Sequence, residues 1–202
     1  YVATYAYSDY SKLMYDFLKT KTSDLIPSEV MQRIEKVMNY DISTQSKLTE
    51  TGIILNRYMG TLESDERMKL QNEIHDRMSE YFKERKRDLE KTIITKVTTN
   101  LEPAATGEVP GRPLNQFSLD EYEGNLRIAT TSGRWSDSVN DVYILDPSLK
   151  IIGSVKDLGL EERIYSVRFL SGKGYVVTFR ETDPIYVLDL SEPSNAQLKG
   201  EL

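Results

Sequence analysis

The side chains best suited to binding chemistry stand in short polar stretches between apolar runs. Tryptophan and arginine supply much of the binding energy of protein interfaces, because a large rigid ring or a planar guanidinium buries well. The residues predicted to contact a partner are Arg112, Arg134, Trp135, Asp137, Arg180 and Asp183. Two alternatives stay open: Trp135 could pack against a neighbouring part of the fold, and Arg180 could form an ion pair with Asp183 that braces their loop.

Catalytic and metal-binding patterns are weak in this chain. The sole histidine, His75, is predicted to lie on a solvated helix face, and no glycine-flanked nucleophile accompanies it. There is no cysteine, which excludes disulfides, thiolate catalysis and cysteine metal ligands. Asp120, Glu121 and Glu123 lack the spaced aspartates and glycine of a calcium loop, so we interpret them as an acidic hairpin turn. The sequence predicts no catalytic residue, no metal site and no cofactor, and leaves open whether the whole protein is an enzyme.

Composition narrows the range of partners. The 202 residues include 26 Lys and Arg against 32 Asp and Glu, a net charge of −6. Nucleic acid is not expected as a partner, because its phosphates require clustered positive charge. No apolar run reaches the roughly 18 residues of a membrane-spanning helix. Because the chain opens at Tyr1 in a strand-like run, we expect a piece of a longer protein, without its true N-terminus or any signal peptide.

Hydrophobic periodicity predicts a helical segment between residues 8 and 90. The predicted helices are 11–21, one that begins at Pro27, 44–59 with Gly60 as its C-cap, and one that begins after Ser64 as its N-cap. All six methionines fall here, and their helical spacing favours core packing over a copper site or an adaptable partner surface. The basic run 83–87 is interpreted as a solvated last turn that complements the helix dipole.

The rest of the chain alternates with period two, which is typical of half-buried strands. Turn residues separate the apolar runs at short spacing. Strands are predicted at 1–4, 92–97, 104–109, 115–122, 126–131, 142–145, 150–155, 164–170, 175–179, 185–190 and 197–202.

Three sets of these strand segments repeat in the same order. Residues 1–4, 127–130 and 175–178 align, residues 142–146 match 185–189, and a third set begins at Gly107, Gly153 and Gly200. A unit of four strands and about 45 residues is that of a β-propeller blade, whereas a β-sandwich would not predict the triple repeat. The predicted fold is mainly β with an α-helical insertion. A partial β-propeller of about two and a half four-stranded blades (1–7 and 91–202) carries a small helical bundle (8–90), which splits the first blade.

Several segments also resemble a known family. They are GEVPG (107–111), LNQFSLDEY (114–122), RIATT (127–131), YSVRFL (165–170) and YVVTFR (175–180) followed by Asp183 and Pro184. They are similar to those of secreted archaeal and bacterial proteins with a C-terminal β-propeller distantly related to WD repeats. The resemblance is close over about 91–202 and loose over the helical segment. It implies an exported or surface propeller and brings no catalytic residues with it.

Binding residues tend to collect on long loops of a rigid scaffold. In a blade of this strand order, the longer connections share one end, which collects the helical segment and the loops at 111–113, 133–137, 161–163 and 180–183. We therefore expect a non-catalytic interaction scaffold that binds a protein partner or a cell-envelope component and contacts the remaining blades of the same protein. Two alternatives stay open: an enzyme with a channel site completed by further blades, and a module that binds polysaccharide or envelope.

Overall fold

The computed structural model describes residues 1–133, 137–180 and 183–202. It is mainly β, with three antiparallel sheets and several helices, consistent with a partial β-propeller, so the predicted mainly β character is confirmed. The chain forms two compact units: a helical unit, Asp9–Arg85, and a β unit, Tyr1–Ser8 with Lys86–Leu202. Within the described ranges, every helix is too short or too polar to cross a membrane.

The helical unit contains α1 (Tyr10–Lys21), α2 (Ser28–Met38), α3 (Thr44–Met59) and α4 (Ser64–Glu84). Each helix turns an apolar stripe inward, and the stripes form one core. Its buried members are Phe17, Leu18, Ile26, Val30, Ile34, Val37, Ile54 and Tyr81, with Met14, Met31, Met38 and Met78 packed against them. Packing therefore accounts for the helical spacing of these four methionines, whereas Met68 is exposed.

The observed N-caps of α2 and α4 differ from the predicted ones, and α1 has an N-cap that was not predicted. Pro27 is the N-cap of α2 and not its first helical residue, and the N-cap of α4 is Glu63 and not Ser64. At α1, the Asp9 carboxylate accepts hydrogen bonds from the Ser11 hydroxyl at 2.6 Å and the Ser11 amide at 3.1 Å. These bonds, chiefly the one from the hydroxyl, lower the pKa of Asp9 because they favour its charged form.

The β unit contains three sheets whose strands follow chain order. A short helix, α5 (Lys86–Leu89), leads into the second strand of the first sheet. The first sheet contains β1 (Val2–Tyr7), β2 (Glu90–Val97) and β3 (Pro103–Pro110). The second contains β4 (Leu119–Tyr122), β5 (Asn125–Ser132), β6 (Val139–Leu145) and β7 (Ile151–Leu158). The third contains β8 (Arg163–Leu170), β9 (Lys173–Phe179), β10 (Ile185–Asp189) and β11 (Gln197–Glu201).

The segment predicted as a strand at 115–122 is extended only from Leu119. Its first part is a 3-10 turn, Gln116–Ser118, because the Asn115 side chain accepts the Phe117 amide hydrogen at 2.9 Å. Asparagine side chains commonly stabilise such turns by bonding to the backbone two residues further on.

The strand registers place the repeated segments of the second and third strands at equivalent positions. The equivalent cross-strand pairs are Ala3–Ile94, Ala129–Val142 and Val177–Ile185. The repeated glycines lie on the last strand of their sheets, opposite Ile94, Ile144 and Val187. Gly153 and Gly200 are therefore at equivalent positions, whereas Gly107 is two positions away from theirs.

The first sheet pairs strands from both sides of the helical unit. Tyr7 of β1 pairs with Glu90 of β2, and the Ser8 amide donates a hydrogen bond of 3.1 Å to the Leu89 carbonyl. The helical unit therefore lies, in chain order, between two strands that are direct neighbours in the sheet.

Neighbouring sheets pack face to face through two apolar cores. Between the first and second sheets, the buried residues are Ile94, Val109, Leu126, Ile128, Tyr143, Leu145 and Leu149. Between the second and third, they are Ala129, Val142, Ile144, Val155, Leu158, Ile164, Val167, Val176, Tyr186, Leu188 and Leu190. Face-to-face burial of alternate residues is what the period-two pattern predicts.

Candidate binding site at the loop end of the β unit

The connections predicted to bind a partner are bonded to one another at one end of the β unit. We call this the loop end: residues 111–114, 131–133, 137–138, 159–164, 180 and 183. Arg112 and Thr131 exchange two backbone hydrogen bonds of 3.0 Å. The Thr92 hydroxyl donates to the Gly111 carbonyl at 2.7 Å. The connection that precedes β4 is therefore fixed to both the first and the second sheet.

Asn140, at the start of β6, is the centre of the buried hydrogen bonds at the loop end. Its side chain is 0% exposed. Its amide nitrogen donates to the carbonyls of Leu158, Gly159 and Glu162 at 2.8–3.0 Å. Its amide oxygen accepts the Thr131 hydroxyl at 2.7 Å and the Ile164 backbone N–H at 3.2 Å. The two N–H hydrogens of one amide are thus shared among three carbonyls, and they tie the turn between β7 and β8 to β6.

The segment between the second and third sheets is held from both sides. The Ser138 hydroxyl donates to the Glu162 carbonyl at 2.7 Å, and the Glu161 amide donates to the Ser138 carbonyl at 2.9 Å. From the third sheet, the Thr178 hydroxyl donates to the Glu162 carboxylate. This connection is therefore a braced surface and not a free loop.

Glu90 of the first sheet also bonds to a connection at the loop end. Its carboxylate accepts the Gly133 amide at 2.8 Å and the Tyr5 hydroxyl. Burial, followed by this hydrogen bond to a carboxylate, raises the pKa of Tyr5, because both disfavour a phenolate. The connection between β5 and β6 is thus fixed at its first residue.

Two predicted binding residues use their charges within the fold. The Arg180 guanidinium donates to the Glu161 carboxylate at 2.6 Å, so its ion-pair partner is Glu161 and not Asp183. The Asp137 carboxylate accepts a hydrogen bond from the Lys86 ammonium at 3.2 Å. Asp183 is exposed. The predicted anchors Arg134 and Trp135 lie outside the described residues.

Arg112 lines a cleft of about 270 Å³ at the loop end. The lining residues are Arg112, Pro113, Leu114, Thr131, Arg163 and Ile164. Two arginines thus line one concave surface together with the apolar residues Pro113, Leu114 and Ile164. The Arg112 guanidinium lies 5.9 Å from the centre of the Tyr5 ring, within the range of a cation–π contact.

The basic run 83–87 is a solvated helix end only in its first part: Lys83 is exposed in the last turn of α4, whereas Arg87 is bonded within the β unit, contrary to the prediction. Arg87 donates two hydrogen bonds to the Asp141 carboxylate, at 2.7 and 2.8 Å, and one to Asp157 at 2.8 Å. Tyr143 also donates to Asp141 at 2.8 Å, and its pKa is raised by burial first and then by the neighbouring carboxylate. Sequence could not identify Arg87, because its two acidic partners follow more than fifty positions later.

The remaining titratable candidates have structural or solvated positions. His75 is exposed on α4. Asp120 pairs with the buried Arg127, which also donates to the Ser171 carbonyl at 2.5 Å. Glu123 and Gly124 form the turn between β4 and β5, with φ angles of 49° and 80°. In the part of the chain that the structure describes, no three His, Asp or Glu side chains are grouped closely enough to hold a metal ion.

Repeated antiparallel sheets with braced connections at one end define a β-repeat protein of the propeller class. The sequence model of the β-propeller domain family matches residues 8–202, and the chain belongs to that family. The match includes the helical unit, Asp9–Arg85, as well as most of the β unit.

Two archaeal proteins are similar to this chain. An uncharacterized protein of Archaeoglobus fulgidus is 45% identical over 202 residues, which are 100% of this chain and 32% of that protein. An uncharacterized protein of Methanocaldococcus jannaschii is 38% identical over 195 residues, which are 95% of this chain and 31% of that protein. The chain thus spans about a third of the length of each relative.

Proposed function

We propose that this chain is part of a non-catalytic β-propeller that acts as an interaction scaffold and binds a protein partner at its loop end. In this proposal the three sheets are successive blades and the helical unit is an accessory binding element. An extracytoplasmic or surface location and a distant relation to WD repeats belong to the same proposal and rest on the sequence resemblance. The observation that carries the binding role is the cleft lined by Arg112 and Arg163.

The cleft suits partner recognition for two physical reasons. Arginine is enriched among interface residues that contribute most to binding, because its planar donors suit carboxylates and backbone carbonyls. The cleft walls are also held in place before binding, since Arg112 is bonded to Thr131 and Ile164 to Asn140. A surface that is already ordered loses less conformational entropy on binding than a free loop does.

The polar residues of the loop end are used mainly to position the backbone, which supports a binding role over a catalytic one. The Asn140 amide donates to the Leu158 carbonyl, and the Glu162 carboxylate accepts the Thr178 hydroxyl of the third sheet. Glu161 pairs with Arg180. The proposed contact set is therefore Arg112 with the cleft walls, extended by the predicted anchors Arg134 and Trp135.

Site-specific photo-crosslinking in the full-length product of the gene tests this proposal. A photoreactive phenylalanine analogue replaces Leu114, which lines the cleft and is exposed, or Leu101, which is exposed in the β2–β3 turn. In cells of the source organism, we expect a discrete protein adduct from position 114 and none from position 101. Adding Arg112→Ala should reduce the yield of the adduct at least tenfold. The reason is that losing an anchor that contributes about 1.4 kcal/mol lowers the affinity tenfold.

The control is the melting temperature of the Arg112→Ala variant, which should stay within about 1 °C of the parent because the side chain is exposed. An adduct at position 114 that persists in Arg112→Ala would show that the cleft is not the site. Adducts to polysaccharide and not to protein would favour the envelope-binding alternative.

A further inference from the structure

The cleft at the loop end differs in charge from the rest of the chain. Among the residues that the structure describes, its lining contains two arginines, Arg112 and Arg163, and no acidic side chain. The whole chain, by contrast, has 32 acidic residues against 26 basic ones. Three other clefts in the described chain are lined by charges of both signs, such as Lys91 and Glu108 in the β unit. The cleft at the loop end is therefore selectively cationic.

The two arginines hold the same place in the repeat. Arg112 bridges to Thr131, and Arg163 pairs with Phe179. Thr131 and Phe179 are equivalent, because each directly follows the repeated segment in the second strand of its sheet. An arginine therefore recurs at the entry to the first strand in the second and third sheets, and both copies line one cleft.

The backbone at this repeated position does not require an arginine. Arg112 exchanges two hydrogen bonds with Thr131 through main-chain atoms, which every residue except proline can do. The Arg112 side chain is exposed. Within the described chain, its guanidinium has an aromatic neighbour, Tyr5, and no carboxylate partner. The charge at this position is therefore better explained by binding than by folding.

The carboxylates that precede Arg163 in sequence bond elsewhere. Glu161 accepts a hydrogen bond from the Arg180 guanidinium at 2.6 Å. Glu162 accepts the Thr178 hydroxyl of the third sheet. Neither glutamate is among the residues that line the cleft. These two carboxylates therefore do not cancel the positive charge of the cleft.

The backbone of the cleft favours a carboxylate over a phosphate as the bound anion. Phosphate sites commonly use several backbone N–H groups, and here most of those groups are occupied. The amides of Arg112 and Thr131 each donate to the other's carbonyl. The Ile164 amide donates to the Asn140 side chain, and Pro113 has no N–H. A planar guanidinium, however, donates two parallel hydrogen bonds to a carboxylate without help from the backbone.

The apolar part of the lining indicates what carries the carboxylate. Leu114 is 50% exposed, and it stands beside Pro113 in the cleft wall. An apolar side chain of a bound peptide can pack on this wall while a neighbouring carboxylate reaches the arginines. The cleft thus suits an acidic residue of a polypeptide that has an apolar residue close to it.

We infer that the cleft binds an acidic segment of the protein partner, with an aspartate or glutamate carboxylate held by Arg112 and Arg163. An apolar side chain of the same segment packs on Leu114. This inference rests on the proposed function, because it specifies the chemistry of the partner that binds there. It also makes Arg163, which was not among the predicted contact residues, a second contact residue of the site.

The cross-linked partner supplies the probe for the first test. Mass spectrometry of the protein adduct formed from position 114 identifies the partner peptide, and we expect an aspartate or glutamate within about three residues of the cross-link. The peptide is then synthesised with a fluorophore in two forms, the natural one and one with each Asp and Glu replaced by Asn and Gln. Fluorescence anisotropy with the unsubstituted full-length protein should show at least about tenfold weaker binding of the amide form.

Substitution of Arg163 is the second test. Arg163→Gln should weaken binding of the natural peptide at least about tenfold, and Arg163→Lys should weaken it less, because a charge remains without the planar donors. The matched control is Arg168→Gln, which changes the net charge equally. Arg168 is exposed on the same strand and does not line the cleft, so its loss should change the affinity less than about twofold.

Three results would overturn the inference and leave the proposed function intact. They are a natural and an amide peptide that bind equally, equal effects of Arg163→Gln and Arg168→Gln, and a phosphorylated residue in place of the carboxylate. If Arg163→Gln fails to fold, the comparison of the two peptides decides, because it leaves the protein unchanged. The absence of any protein adduct from position 114 would instead refute the proposed function, and the inference with it.

Discussion

Arg87 holds both carboxylate oxygens of Asp141, with its Nε 2.7 Å from one oxygen and its Nη2 2.8 Å from the other. Asp141 is 1% exposed, and Arg87 stands in α5, immediately before the first sheet's central strand. The pair therefore fastens the entry of the first sheet to the second sheet. The Asp157 backbone amide donates a further hydrogen bond of 3.0 Å to the same carboxylate.

Removing Arg87 should destabilise the β unit strongly. Arg87→Ala leaves the buried Asp141 charge without its partner, which costs roughly 3–5 kcal/mol in buried pairs. The measurement is the free energy of unfolding from urea denaturation. Lys86→Ala is the matched control, because the partner of Lys86 is the 41% exposed Asp137, and it should cost less than about 1 kcal/mol. Equal costs for the two variants would contradict the assigned role of Arg87.

Replacing the Asn140 amide by a carboxylate should destabilise the β unit. Asn140→Asp preserves shape but places a carboxylate oxygen against the three carbonyls to which the amide nitrogen now donates. We expect a loss of roughly 3 kcal/mol or more in the free energy of unfolding, since a buried charge and the close approach of acceptors to one another both carry a cost. Faster hydrogen exchange at the Ile164 amide would report the local change. Thr92→Val, which removes one hydroxyl bond at the equivalent position, should cost about 1 kcal/mol.

Arg180 should matter little for stability. Its side chain is 56% and that of its partner Glu161 54% exposed, and exposed pairs contribute about 0–1 kcal/mol. A double-mutant cycle of Arg180→Ala and Glu161→Ala should give a coupling energy below about 1 kcal/mol, which decreases further at high salt. A coupling above about 2 kcal/mol would mean that the pair is desolvated in the full protein.

The cap of α1 should make the helical unit sensitive to acid. The folded pKa of Asp9 is lowered, so its stabilising effect is complete above the unfolded value near 3.9 and is lost as the pH falls through the folded pKa. Asp9→Asn retains a capping oxygen without the titration. The free energy of unfolding of the parent should therefore fall relative to that of Asp9→Asn as the pH is lowered from 6 to 2. Denaturation followed by circular dichroism at 222 nm measures both values.

The opposite variant at the same position tests the cap itself. Asp9→Ala at pH 7 removes the bonds to Ser11 and should cost about 1 kcal/mol. If Asp9→Ala were as stable as the parent at pH 7, the carboxylate would not act as a cap.

Local patterns predicted the elements well, because they depend on neighbouring residues. The alternation of Tyr175–Phe179 and Ile185–Asp189 with period two gave strands at the observed places, and the heptad-like stripe of α2 gave a helix. The repeat correctly predicted that residues 127–130 and 175–178, and residues 142–146 and 185–189, are equivalent. Errors arose where a long-range partner decides the structure, as at Arg87.

The binding residues were harder to predict for the same reason. The sequence around an arginine or aspartate in a loop looks the same whether the side chain faces solvent or pairs with a distant residue. Arg180, which follows β9, pairs with Glu161, which precedes β8. Asn140 gave no signal, because a single asparagine before a strand resembles an ordinary turn residue. Its position in the repeat, opposite Thr131 and equivalent to Asp183, was the feature that could have identified it.

The pairing of β1 with β2 has a consequence for the order of folding. The ladder that begins at Tyr7 and Glu90 joins segments separated in sequence by the whole helical unit. Closing a loop of that length in a disordered chain costs entropy, and contacts distant in sequence slow the search for the native state. Local helix formation in Asp9–Arg85 is fast and would shorten the effective loop before the ladder forms. Formation of the first sheet is therefore coupled to folding of the helical unit. Substitutions in the core of the helical unit should slow the pairing of β1 with β2, although neither strand contains the substituted residue.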